Sequence, residues 1–117
     1  MQERWRDISD GYQVSDQGNV RSFRLCKAGK ILSKHKDEDG YNKVSLRENG
    51  KDIEKRVSRL VAQAFPDICG EWFEGCQVNH KNEVKTDDRA VNLEVCTTRY
   101  NVLYSKKPMS GRRKNIP

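Results

Sequence analysis

Glycine-centred turn signals recur about every ten residues through the first half of the chain, and this spacing constrains the fold more than any other feature. Asp10-Gly11, Gln17-Gly18-Asn19, Ala28-Gly29, Asp39-Gly40 and Asn49-Gly50 punctuate the first 56 residues. Such spacing predicts a β meander. Tyr12–Ser15, Val20–Phe23 and Lys30–Leu32 fall between the turns as short strands. The clearest strand is Tyr41–Arg47, where Tyr41, Lys43, Ser45 and Arg47 alternate with Val44 and Leu46. Asn49 and Gly50 both tolerate positive φ, so they predict a hairpin turn into Asp52–Val57. One face of that hairpin is expected to carry Lys43, Arg47 and Lys55, either as a phosphate-contacting surface or as an ordinary solvated sheet face.

The period changes at residue 58. Leu60, Val61, Ala64 and Phe65 fall at helical spacing behind Ser58, a good N-cap, and Pro66 is expected to stop the run. This short helix is expected in the core. Residues 69–77 read as a loop burying Trp72 and Phe73 between Gly70 and Gly75. A strand starting at Val78 and a polar loop from Asn82 to Asp88 follow. Val91, Leu93 and Val95 then read as a strand, or as a single turn and a strand. Thr97 or Thr98 caps a predicted last helix from about Arg99 to Ser105. The expected organisation is α+β: a β-rich region over 1–57, a second region over 58–105 and a basic tail over 106–117 that is disordered or ordered by a ligand.

Charged residues make up 34% of the chain, and no run approaches the ~20 apolar residues of a membrane span. Met1 to Asp10 holds Glu3, Arg4, Arg6 and Asp7 and no apolar run, so no secretory leader is predicted and the expected compartment is the cytoplasm. Residues 1–65 carry 14 Lys and Arg against 10 Asp and Glu, residues 66–105 carry 4 against 7, and residues 106–117 carry 5 against none. Basic ends around an acidic middle suit a protein that holds a polyanion at its edges, although a basic tail can equally be just solvated. Cys26, Cys69, Cys76 and Cys96 contain no CxxC pair, so reduced packing residues are expected and zinc is not.

Two histidines are present. His35, among Lys34, Lys36 and Asp37, is expected in a solvated loop. His80 stands at a predicted strand end, with Asn92 and Asn101 downstream on elements that can return to it. Polar residues at such boundaries either satisfy backbone groups or gather into a site.

The runs Val78-Asn79-His80-Lys81, Lys85-Thr86-Asp87-Asp88-Arg89 and Val91-Asn92-Leu93-Glu94, followed by Thr97 and Asn101, resemble the HNH endonuclease motif, in particular that of phage and intron-encoded homing endonucleases. Upstream, Trp5-Arg6-Asp7-Ile8, Gly11-Tyr12-Gln13-Val14-Ser15 and Gly18-Asn19-Val20-Arg21-Ser22 are similar to the nuclease-associated N-terminal motif of the same proteins. Gly40-Tyr41, Val44-Ser45-Leu46, Asn49-Gly50-Lys51 and Arg59 to Phe65 continue the similarity.

The resemblance implies an N-terminal β meander packed on a ββα-metal domain of the His-Me finger type, and hydrolysis of double-stranded DNA. It implies His80 as general base, Asn92 as the residue that orients the His80 ring, and Asn79 and Asn101 as ligands of Mg²⁺ or Mn²⁺. Arg21, Arg24, Lys43, Arg47 and Lys55 are expected to contact phosphates, with Lys106, Lys107, Arg112, Arg113 and Lys114 of the tail. A monomer is expected to nick; whether the protein is a monomer or a homodimer stays open. Longer relatives carry a C-terminal helix-turn-helix module that this sequence lacks, so lower sequence specificity is expected. The sequence departs from the family pattern at Asn82-Glu83-Val84, where Asp-Gly-Asn is usual, at Val95, at Ser58, and at Asn79, where Asp is frequent. Those departures leave one alternative: an inactive DNA-binding protein on an HNH scaffold.

Overall fold

The computed structural model describes residues 2–9, 11–24 and 26–97. The expected last helix, Asn101 and the basic tail lie outside the described residues. Antiparallel pairing joins β1 (Trp5–Ser9), β2 (Tyr12–Ser15), β3 (Val20–Ser22) and β4 (Lys30–Ile31) into a four-stranded meander in chain order. A second sheet orders β5 (His35–Lys36), β6 (Asn42–Glu48) and β7 (Lys51–Arg56). Helices α1 (Val57–Ala64) and α2 (Pro66–Cys69) follow, then β8 (Gln77–His80), a 3₁₀ turn over Ala90–Asn92, and β9 (Leu93–Cys96), which pairs with β8. The described residues are α+β, with few helices and three antiparallel sheets. Among the described residues no helix is long and apolar enough to cross a membrane.

The hairpin turn at 49–50 forms as its residue types dictate. Asn49 and Gly50 take φ of 51° and 75°, and Glu48 pairs directly with Lys51. Two successive positive φ values match the right-handed twist of the flanking strands. That register places Lys43 opposite Arg56 and Val44 opposite Lys55. Lys43 and Arg47 therefore share a face with Arg56, and Lys55 points to the other side, correcting the expected trio.

Helix α1 is the hub of the core. It packs against β1, β2, β6, β7, β8 and β9, and Leu60, Val61 and Ala62 are buried with Phe65, Val14, Val20, Val44, Leu46 and Leu93. Fully burying side chains of this size contributes roughly 1.5–3 kcal/mol each. Ser58 does not cap α1: Arg56 is the N-cap, without a side-chain bond, and Ser58 is buried as the second residue of the helix. Pro66 ends one helix and starts the next, at the first position of α2 where its missing N–H costs nothing. Trp72 packs on the core, but Phe73 is 44% exposed, contrary to the expected buried pair.

Strand β1 has no period-two apolar pattern because its inward side includes a charge. Arg6 donates to Ala64 O at 2.9 Å and to Asp67 Oδ1 at 2.7 Å, and its guanidinium lies 4.3 Å from the Phe65 ring centre. The ion pair and the aromatic face compensate for placing a cation there.

Candidate active site

Strand β8 carries the two adjacent residues on which the site is built. Its register sets Asn79 opposite Glu94 and His80 opposite Leu93. Successive side chains point to opposite faces of a strand, yet Asn79 is 7% and His80 6% exposed. Both faces of this strand end are covered. The His80 ring lies 5.5 Å from the Tyr41 ring, tilted by 40°, and its Nε2 is 2.8 Å from Asp88 Oδ1. Asp88 is also buried, and its Oδ2 accepts a bond from Asn42 Nδ2 at 3.2 Å.

Asn92 holds the loop between β8 and the 3₁₀ turn. Its Oδ1 accepts from Asn82 N at 3.1 Å, and its Nδ2 donates to Asn82 Oδ1 at 3.0 Å and to Asp87 O at 2.9 Å. Its main-chain carbonyl accepts from Lys81 N at 2.8 Å. The side chain thus grips both arms of the loop, whereas the carboxylate on the ring comes from Asp88. Asp87 braces the same loop: it accepts from Asn82 Nδ2 and from Arg89 Nε, both at 2.7 Å. Arg89, helped by Asn82, lowers the Asp87 carboxyl to about 2.

The turn usually supplied by glycine in the resembling family persists here without one. Glu83 N donates to His80 O at 2.9 Å, and Glu83 takes a φ of 65°. A non-glycine residue held there costs roughly 1–2 kcal/mol. Asp88, Asn42 and Tyr41 are site neighbours that motif spacing does not announce; the buried acid next to Arg89 could only be told from its neighbour Asp87 by three-dimensional packing.

For a cation, the relevant observation is at Asn79. Its Nδ2 is buried and has no hydrogen-bond partner among the described residues. An amide in that condition can turn its oxygen toward a hard divalent cation, which accepts neutral oxygens and completes its shell with water and phosphate. Among the described residues no three His, Cys, Asp or Glu side chains group as a metal site. The chemistry of the Asn79 side chain suits it to offer one neutral oxygen to a hard divalent cation; the second expected ligand, Asn101, is outside the described residues. Cys69, Cys76 and Cys96 are free and buried, and burial pushes the Cys69 and Cys96 thiols up to about 11.

The basic candidates occupy other surfaces. Arg21 donates to Gln13 Oε1 at 2.7 Å and sits 4.0 Å from the Trp5 ring centre, so its guanidinium is engaged in the meander. Lys43 pairs with Glu54 at 3.8 Å, Arg47 with Asp52 at 3.1 Å, and Lys55 with Glu48 at 3.0 Å. Arg24 and Arg47 line a groove of about 780 Å³ with Tyr12, Phe23 and Lys30. That groove includes neither His80 nor Asp88.

A strand pair presenting a buried histidine and an amide, clasped by a loop and roofed by a β hairpin, defines the architecture of an HNH nuclease. Two family models match the chain in succession, the NUMOD4 motif over residues 3–47 and the HNH endonuclease family over residues 55–103. The chain is homologous to the DNA endonuclease I-HmuI of Bacillus phage SP01, with 39% identity over 101 residues, covering 84% of this chain and 55% of that protein. It is also similar to the H-N-H endonuclease F-TflII of Escherichia phage T5, at 34% identity over 74% of this chain and 42% of the relative. A solved structure described as DNA binding and cleavage by the HNH homing endonuclease I-HmuI superposes with a TM-score of 0.75 at 33% identity, covering 95% of this chain and 64% of that one. The chain thus spans just over half the length of I-HmuI and less of F-TflII.

Proposed function

We propose that this chain is a divalent-metal-dependent DNA endonuclease that nicks double-stranded DNA, with His80 as general base. The observation that carries the reading is the buried His80 ring, bonded to Asp88, beside Asn79, whose buried Nδ2 has no partner among the described residues. His80 takes a proton from the attacking water, work typically contributing 10²–10⁴-fold in such reactions. Asn79 and Asn101 hold Mg²⁺ or Mn²⁺, and Asn92 keeps the loop that frames the ring. The bound cation supplies charge neutralisation at the scissile phosphate. Arg24, Lys43 and Arg47 contribute sequence-independent phosphate contacts, with Arg21, Lys55 and the basic residues of the tail as weaker or additional contributors. One site per chain cuts one strand per engagement, and a double-strand break needs a second copy or a second visit.

The test is conversion of supercoiled plasmid in Mg²⁺ or Mn²⁺ against the same reaction in chelator. Open circles should accumulate before linear product, and only with metal. DNA binding without cleavage under any metal condition would instead establish the alternative, an inactive binding protein on this scaffold.

A further inference from the structure

We propose that Asp88 is the positioning residue for His80: it fixes the proton of the neutral ring on Nε2 and so leaves the lone pair on Nδ1 to face the water. This rests on the reading of His80 as the proton acceptor. A carboxylate only accepts hydrogen bonds, so the ring nitrogen 2.8 Å from Asp88 Oδ1 must be the one that carries hydrogen. The two imidazole nitrogens then differ in role, one spent on orientation and the other available for chemistry.

Asp88 can do this because two separate segments hold it, strand β6 and the turn between β2 and β3. Asn42 of β6 donates to its Oδ2 and, with the same amide, to Thr86 O at 3.3 Å, tying the carboxylate to its own loop. Gly18, in the turn between β2 and β3, packs so closely that an added Cβ would come 3.0 Å from Asp88 O. Asp16 O accepts the Ala90 N–H at 2.8 Å, fixing the chain just beyond Asp88. The region that matches the NUMOD4 motif therefore helps build the ring's support and is more than an attached binding surface. Asn92, gripping the loop at Asn82 and Asp87, makes its side-chain bonds elsewhere.

The chain has two histidines, so ring signals are separable in long-range ¹⁵N–¹H correlation spectra of the full chain. In mildly alkaline buffer, wild-type His80 should show a single neutral tautomer with hydrogen on Nε2. Hydrogen on Nδ1, or a mixture, would overturn the proposal before any variant is made. Asp88→Ala should give a tautomer mixture and a single-turnover cleavage rate at saturating DNA lowered about 10–100-fold, with DNA affinity changed by no more than about twofold. Asn42→Ala, which leaves the carboxylate in place and guards against misfolding of the first variant, should shift both readouts the same way by less. A retained Nε2–H tautomer in Asp88→Ala, or equal losses of rate and affinity, would contradict the assignment. Cleavage that survives His80→Ala would sink the general-base reading instead and leave the tautomer result intact.

Discussion

The molecule contains two histidine–carboxylate pairs, and they differ in almost everything except chemistry. His35 on β5 bonds Glu54 of β7, with both side chains about half exposed at 45% and 53%. His80 on β8 bonds Asp88 with exposures of 5% and 2%. The first pair is bathed in water and salt, where such contacts are worth about 0–1 kcal/mol. The second has lost its hydration, so each remaining acceptor must find a partner within the protein, and Asn42 provides it. The difference lies in the support around the pair. A fixed ring needs neighbours from several segments, and only His80 has them.

Four perturbations test that contrast, in falling order of effect. Gly18→Ala should cost about 2 kcal/mol in urea unfolding, from positive-φ strain plus pressure on the Asp88 backbone. It should also slow cleavage, because the pressed residue supports the ring.

Acid should loosen the buried pair's loop through Asp87. Its folded-state value, about 2, lies below the ordinary carboxylate value, so its contribution is present above the unfolded value and disappears as pH falls through the folded one. Stability should therefore decline between about pH 4 and pH 2, by about 1 kcal/mol for this group after solvent screening. Asp87→Asn should remove that share of the slope in acid titrations.

Glu83→Gly should raise the unfolding free energy by roughly 0.5–1 kcal/mol, the relief of left-handed strain offset in part by glycine's greater unfolded entropy. No gain would mean that the Glu83 side chain matters more than its backbone. His35→Ala should move stability by less than about 0.5 kcal/mol and leave cleavage unchanged, as befits a solvated pair.

Much of this arrangement was legible in the residue order. Turn chemistry located β2, β3, β6 and β7, and the switch of period located α1 within a residue. The hairpin turn was legible too, but the expected face wrongly kept Lys55 with Lys43 and Arg47: a two-residue turn pairs 48 with 51 and sends Lys55 to the other side. Other features depend on partners far along the chain. Strand β1 hides its inward side behind Arg6, whose acceptor Asp67 lies beyond α1. Glu83 keeps a glycine-like φ because the bonds around Asn82, Asp87 and Asn92 over-determine the loop. Which of Asp87 and Asp88 turns inward is decided by Asn42, Gly18 and Arg89, and no local pattern encodes that choice.

Of the two histidines, the sheltered His80 is the one proposed to do the chemistry. Single-turnover cleavage at saturating DNA, measured side by side for His80→Ala and His35→Ala, tests this assignment most directly. His80→Ala should lower the rate about 10²–10⁴-fold with DNA affinity kept, and His35→Ala should cleave at the wild-type rate. Equal rates for the two variants would contradict the assignment.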